Sequence, residues 1–366
     1  MSDIDIYEQL RQKLNIQGQG APNHRAILDF LKIIWTEDDV KLLLNFDSVG
    51  KFVSAAKIAK NSGLEKNNVK DTLNKLAEKG TILKMGNQYT LIPFAPGIFE
   101  FYFVAQKDTK ENFKKASILM EEIIEEVMPS LGLSSEFGIF RPKLPLNEEK
   151  IISIDESINA KSQVLAWEKV EEMLNYSDVY AKVPCQCRMV GDYVGDPCKI
   201  APKDVGCFVT GIVAEQVIKM GHGTKLTKDE AIEYLQKAEK AGLVHSGTNI
   251  SNDLSNLLIC NCCPCHCGAL KSQSKHKFGI VNKSNFEPRI DTELCVLCGT
   301  CVKKCPMNAI FHIYSTNERI EITTDYCIGC GICAVNCAKN AIKMVKVRDE
   351  IAPKSIGIGI ESILGM

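Results

Sequence analysis

The densest chemistry in this chain of 366 residues is sulfur, and part of it is regularly spaced. Cys295, Cys298, Cys301 and Cys305 stand in the order x2-x2-x3, with Pro306 after the last. Cys327, Cys330, Cys333 and Cys337 repeat that order. Two intervening residues let a tight turn aim successive thiolates at neighbouring irons of one cubane. Eight thiols spaced in this way supply the ligands of two [4Fe–4S] clusters. The fourth Cys of each run comes one helical turn later and points away, so it ligates the other cluster. The expected sets are Cys295, Cys298, Cys301 and Cys337 for one cluster, and Cys327, Cys330, Cys333 and Cys305 for the other. Zinc sites built from pairs of Cys at variable separation, or a disulfide scaffold, would give no reason for such a repeat.

Nine further thiols occupy residues 185–267: Cys185, Cys187, Cys198, Cys207, Cys260, Cys262, Cys263, Cys265 and Cys267. Thiols this dense would repel one another as thiolates unless a metal neutralised them. One or two additional Fe–S clusters are the expectation, with one structural zinc plus spare thiols as the competing account. The spacing does not fix which Cys belongs to which cluster. Arg188, beside Cys187, is expected to place a charge or hydrogen bond near cluster sulfurs and so tune their potential. His266 is expected to be a solvated loop histidine in preference to an extra ligand.

Formal net charge is −1, with 45 % hydrophobic and 24 % charged residues, an ordinary globular balance. That balance carries no global preference for nucleic acid or anionic membrane. The start, MSDIDIYEQL, is polar and acidic, unlike a signal peptide. No apolar run approaches the roughly 18 residues a membrane span needs. Seventeen Cys without an export signal point to metal in a reducing compartment, and an anaerobic cytoplasm is the expected location. Gly221-His222-Gly223 lacks the preceding strand and third Gly of a dinucleotide site, and no Walker-type phosphate loop occurs.

The elements that must position these thiols divide by Cys content. Residues 1–184 have none. Within them, apolar residues at helical spacing fill 25–36, and Thr36 with the acids after it reads as an N-cap. A helix at 54–61, a turn at Ser62-Gly63 and a helix from Glu65 to Glu78 follow, the last with Val69, Leu73 and Leu76 on one stripe. Gly80 suits the C′ position. Short strands at Thr81–Lys84 and Gln88–Ile92 meet at Gly86-Asn87. The aromatic stretch after Pro93 reads as core packing. Helices are further expected at about 111–127, from Ser162 to Asn175, from about Phe208 to Met220, and from a capping box at Thr227 to about Gly242. The polar stretch Lys271–Lys277 reads as a linker, and the apolar tail from Ile351 to Met366 as packing on its own domain.

The x2-x2-x3 repeat resembles that of bacterial-type two-cluster ferredoxins, with Ala338 where a Pro usually follows the last Cys. Residues 25–95 resemble a winged helix-turn-helix. From about 25 to 345 the chain resembles a group of anaerobe iron–sulfur proteins. The shared features are a winged-helix-like start with the Pro93–Glu100 exit, the Cys185–Arg188 site, a helix ending Gly242–His245, the Cys260–Cys265 run and a dicluster ferredoxin tail.

The expected fold class is α+β and multidomain. Its parts are a winged-helix-like domain (1–100), a helical connection (101–184), a mainly helical Cys-rich domain (185–270), a linker (271–285), a two-cluster ferredoxin module (286–348) and the tail (349–366). The resemblance implies a soluble electron-transfer protein or subunit in anaerobic metabolism. Such a chain would depend on a redox partner or oxidoreductase complex more than act as a catalyst on its own. The alternative is a redox-sensing transcription regulator. Residues 51–95 carry a local excess of Lys that could track phosphates, but they hold no Arg to read guanine edges, so docking is favoured over nucleic acid.

Overall fold

The computed structural model describes residues 5–15, 21–127, 140–146, 152–153, 168–248, 258–277 and 280–350. They fall into two compact units. Residues up to Val127 with Met189–Asp196 form the first, and the described residues of 140–188 and 197–350 form the second.

In the first unit the helix Arg25–Ile34 buries Ile27, Phe30, Leu31 and Ile34. Thr36 and Asp39 close a reciprocal capping box on the helix Glu37–Leu43. Strand β1 (Val53–Ser54) leads into the helix Ala55–Ser62, which ends on left-handed Gly63. The helix Lys66–Glu78 buries Val69, Leu73 and Leu76 as expected, and Gly80 follows at φ +77°. Strands β2 (Leu83–Met85) and β3 (Gln88–Thr90) then form a hairpin, and the three strands are ordered β1-β3-β2. The expected succession of helix, turn, helix and hairpin is therefore present. Phe94, Phe99, Tyr102 and Phe103 are buried core residues, and Tyr102 donates a hydrogen bond to Asp108, which pairs with Lys79 at 2.8 Å.

The second unit is organised by strands that periodicity did not disclose. They are β4 (Phe140–Pro142), β5 (Ile152–Ser153), β6 (Tyr180–Val183), β7 (Cys207–Thr210), β8 (Thr224–Leu226), β9 (Val244–Thr248) and β10 (Leu258–Cys262). All but β5 form one antiparallel sheet in the order β4-β9-β10-β7-β6-β8. The Cys-rich region carries the helices Gln186–Val194, Gly211–Lys219 and Lys228–Ala241, and to the expectation of a mainly helical region the structure adds this sheet. All four residues of β7 are buried, so it shows no alternation, and its apolar run reads as the start of a helix. The helix expected from Phe208 begins only at Gly211 and ends at Lys219. The capping box at Thr227 is present, on the helix Lys228–Ala241 with left-handed Gly242 as its cap. Of the helix expected from Ser162, Val170–Asn175 is helical and 162–167 lie outside the described residues.

The stretch expected as a linker contains regular structure. Leu270–His276 is a helix with Leu270 and Ser272 buried. Its polar residues serve distant backbone: Ser274 Oγ donates to Pro306 O and Lys277 Nζ to Met307 O, both at 2.8 Å. Polar composition alone cannot separate that from a solvated connection.

The C-terminal part repeats one pattern twice, strand, Cys loop, short helix, strand. Its strands are β11 (Phe286–Ile290), β12 (Ile310–Ile313), β13 (Arg319–Ile322) and β14 (Ile342–Lys346). β11 pairs antiparallel with β14 from Phe286↔Lys346 to Ile290↔Ile342, β12 pairs with β13, and β5 lies parallel to β14. Asn336 Nδ2 donates to Glu239 O at 3.0 Å and Lys304 Nζ to Lys240 O at 2.8 Å, so this part is tied to the helix Lys228–Ala241. The apolar tail expected to pack on its own domain lies outside the described residues. Among the described residues no helix is long and apolar enough to cross a membrane.

One buried cation gives this unit a pH signature. Lys143 is 2 % exposed, and burial, with Arg141 adding repulsion, lowers its pKa from the usual 10.5 to about 7. Between those values the unfolded chain holds the proton and the folded chain does not, so stability rises with pH. Denaturation midpoints followed by circular dichroism should increase from pH 7 towards pH 10. Lys143→Met should remove that part of the slope, and an unchanged slope in the variant would refute the assignment.

Candidate metal centres

Each C-terminal Cys loop is shaped by left-handed backbone. In the first, the Asp291 carboxylate accepts from the backbone N–H groups of Glu293 and Leu294, and Cys295 N–H donates to Asp291 O at 3.0 Å. Leu297 (φ +55°) and Gly299 (φ +70°) then turn the chain into the helix Thr300–Lys304, which carries Cys301. In the second, Gly329 (φ +69°) and Gly331 (φ +75°) do the same before the helix Ile332–Val335 with Cys333. Gly329 is pressed against Phe286 O and Ser284 Oγ, and Ser284 Oγ donates to Gly329 O at 2.7 Å.

An apolar cavity lies inside this pair of loops, lined by Cys305, Cys327, Cys330 and Cys333 together with Met307, Ile310, Ile328 and Met344. Its four thiols are the set expected for the second cluster, including the Cys that crosses from the first run. Burial pushes the pKa of the Cys327, Cys330 and Cys333 thiols up, because an uncompensated thiolate is costly there. A metal cluster removes that cost, and the donor set fits one. Cys301 and Cys337 of the other expected set pack in one apolar cluster beside Cys333. Cys298 is exposed; its thiol lies 3.4 Å from the Thr300 hydroxyl, whose hydrogen bond holds its pKa below the usual value.

The nine central thiols separate into two groups. One is a chain of neighbours: Cys185 to Cys187, Cys187 to Cys267, Cys267 to Cys262 at 3.1 Å, Cys262 to Cys260, and Cys260 to Cys207 at 3.8 Å. β10 positions two of them, because Cys260 and Cys262 are two apart on one strand and share a face. Cys207 opens the adjacent β7, and Gly206 before it has no room for a side chain against Val183 O and Cys185 N. Cys260, Cys262 and Cys267 belong to the same apolar cluster as Cys305, Cys327 and Cys330. The second group is Cys198, Cys263 and Cys265, in a separate apolar cluster with Ala201, Val205, Ala238 and Leu243. Cys198 Sγ is 3.4 Å from Cys265 Sγ.

Arg188 is fully buried, but its hydrogen bonds go to carbonyls, not to sulfur: it donates to Asn261 O at 3.4 Å and to Val205 O. Burial alone would lower its pKa. Negative charge on the sulfurs of Cys185, Cys263, Cys198 and Cys207, as metal-bound thiolates would carry, overcomes that and raises it, so the guanidinium is a positive charge facing both groups. His266 is corrected from a solvated loop residue to a buried one, 3 % exposed. The sequence reading also missed a buried chain on the other face of β10: His245 Nδ1 meets Asn261 Oδ1 at 2.7 Å and His245 Nε2 meets Glu239 Oε1 at 3.0 Å. The register Asn261↔His245 makes that pair neighbours across β9 and β10, which the sequence signals only as two polar residues in apolar runs.

Residues 288–311, which include Cys295, Cys298, Cys301 and Cys305, match the family described as a 4Fe-4S binding domain. No curated protein and no solved structure matches the chain significantly. The match indicates 4Fe–4S cluster binding in the C-terminal part and, at a coarse level, iron–sulfur electron transfer.

Gly329→Ala tests how the second loop is held. A methyl group there collides with Phe286 O, and the left-handed backbone alone costs a non-Gly residue about 1–3 kcal/mol. Anaerobically purified variant should carry less iron and acid-labile sulfide than the parent chain. Gly299→Ala, where the space is open, should lose less. Equal iron in the parent chain and both variants would show that the loop does not depend on this contact.

Proposed function

We propose that the chain is a soluble iron–sulfur electron-transfer protein or subunit that relays low-potential electrons to or from an oxidoreductase partner. Its setting is the cytoplasm of an anaerobically growing cell, and it works as an intermediary more than as a catalyst on its own. The observation that carries this reading is the apolar cavity where Cys305 joins Cys327, Cys330 and Cys333. Crossed ligation brings two one-electron centres into a single folded module. When bound, [4Fe–4S] clusters supply reversible one-electron storage at potentials set by charge, hydrogen bonding and exposure.

The residues divide the work. Met307, Ile310, Ile328 and Met344 keep water from the second thiol set. Exposed Cys298, on the same loop as Leu294 and Val296 at 49 % and 58 % exposure, leaves the first set open at one edge where a partner can approach. Cys260, Cys262 and Cys267 of the six-thiol central group share an apolar cluster with Cys305, Cys327 and Cys330, and the group is assigned a further cluster. Arg188 offsets thiolate charge there, which favours taking on an electron. The winged-helix-like first unit serves as a docking surface through the exposed Lys66, Lys70 and Lys75.

Anaerobic iron and sulfide analysis of the whole chain should find at least the eight irons of two cubanes. The reduced protein should pass electrons to an acceptor enzyme from the same extract, without turning over NADH, NADPH or ATP by itself. Lys66→Ala, Lys70→Ala and Lys75→Ala combined should leave iron unchanged and weaken partner association. Zinc in place of iron would sink the proposal, and sequence-specific DNA binding lost in the triple variant would favour the regulator instead.

A further inference from the structure

We infer that Cys198, Cys263, Cys265 and His266 form a mononuclear zinc site, separate from any iron–sulfur cluster. The ligating atoms of Cys198, Cys265 and His266 all lie within 4.8 Å of one another. Cys263 is not one of that trio but packs with Cys198 and Cys265 in the same apolar cluster, which makes it the neighbouring thiol for a fourth position. Around one tetrahedral zinc with Zn–S bonds of about 2.3 Å, sulfurs sit roughly 3.8 Å apart, the edge of that tetrahedron. The 3.4 Å between Cys198 and Cys265 is close to that edge.

The histidine supplies the independent sign. His266 is 3 % exposed, and its Nδ1 is buried without a hydrogen-bond partner among the described residues. A buried ring nitrogen left in that state is costly unless something accepts its lone pair or its proton. A metal bound by the neighbouring thiolates does so. Three thiolates and one imidazole complete a four-coordinate shell, which is the closed composition of structural zinc and leaves no open position for substrate. A soft donor set of three sulfurs and one nitrogen in tetrahedral arrangement selects zinc over magnesium, calcium or manganese.

The placement explains what such a site does. Cys263, Cys265 and His266 come from the turn directly after β10, whereas Cys198 is on the irregular segment before β7. One zinc would staple that segment to the end of the strand that carries Cys260 and Cys262. It lies in an apolar cluster of its own, with Ala201, Val205, Ala238 and Leu243, apart from the cluster that joins the six-thiol group to the C-terminal thiols. The inference does not rest on what the six-thiol group binds.

The test is metal analysis and zinc-edge X-ray absorption on the full chain, purified anaerobically with its clusters in place. One zinc per chain with a three-sulfur, one-nitrogen shell is expected. His266→Cys should keep the zinc and convert the shell to four sulfurs, so the conservative variant reports on the site without removing it. Cys198→Ser should lower zinc affinity by at least about tenfold, the least that loss of even an outer partner costs a metal site, while iron and sulfide stay at the parent level. Should Cys198→Ser fail to fold, the shell change in His266→Cys decides. Absence of zinc, an unchanged shell in His266→Cys, or loss of iron and sulfide in Cys198→Ser with zinc retained would each overturn the proposal.

Discussion

Eight of the seventeen thiols are buried, and most of the others are partly so. An interior of this kind is stable with neutral thiols or with metal-bound thiolates, but not with free thiolate charge. That constraint shapes the second unit. Three of its apolar clusters include thiols, and Cys260, Cys262 and Cys267 share theirs with Cys305, Cys327 and Cys330. Arg188 is the one guanidinium among the described residues that is placed between both central thiol groups, and it is anchored by backbone carbonyls so that its charge cannot swing away.

Metal held by such thiols would couple its binding to folding. Without metal, the thiols at 3.1 Å and 3.4 Å share protons. With metal, those protons leave and the same sulfurs turn from weak donors into ligands. The described core of the first unit holds no thiol: it is aromatic and aliphatic, with Phe30 edge-on to Phe94 at 5.2 Å and Tyr102 tilted on Phe113 at 5.0 Å. The two units accordingly differ in what stabilises them, dispersion and burial in one, metal ligation added to them in the other.

What the sequence made legible follows from how local each signal is. The Lys66–Glu78 helix, its Gly80 stop, the Gly86-Asn87 hairpin and the Thr227 capping box all depend on residues within a few positions of one another, and all are present. The x2-x2-x3 runs are local too, and the cavity gathers the expected crossing thiol Cys305 with its three partners. The central sheet was not legible. β7 is buried along its whole length, and β10 reads as a ligand motif, so neither shows the alternation that marks a strand. The division of the nine thiols was hidden for a different reason: Cys198 meets Cys265 across 67 positions, and no spacing rule reaches that far. His266 was misread because its burial comes from tertiary packing, which a loop composition does not encode.

The short strand β5 has a consequence for the order in which the molecule can be completed. Its register sets Ile152 against Met344, so the sheet β11-β14-β5 closes only when two segments nearly two hundred residues apart have met. Contacts that distant are costly in chain entropy and form late. During synthesis every central Cys emerges before β14 does. The central thiols thus pass through a stage in which they are already made but their C-terminal neighbours are not. In the completed fold Cys198, Cys260 and Cys265 stay partly exposed, whereas Cys185, Cys187, Cys207, Cys262, Cys263 and Cys267 are buried, so those six are the thiols for which that early stage offers the easiest approach.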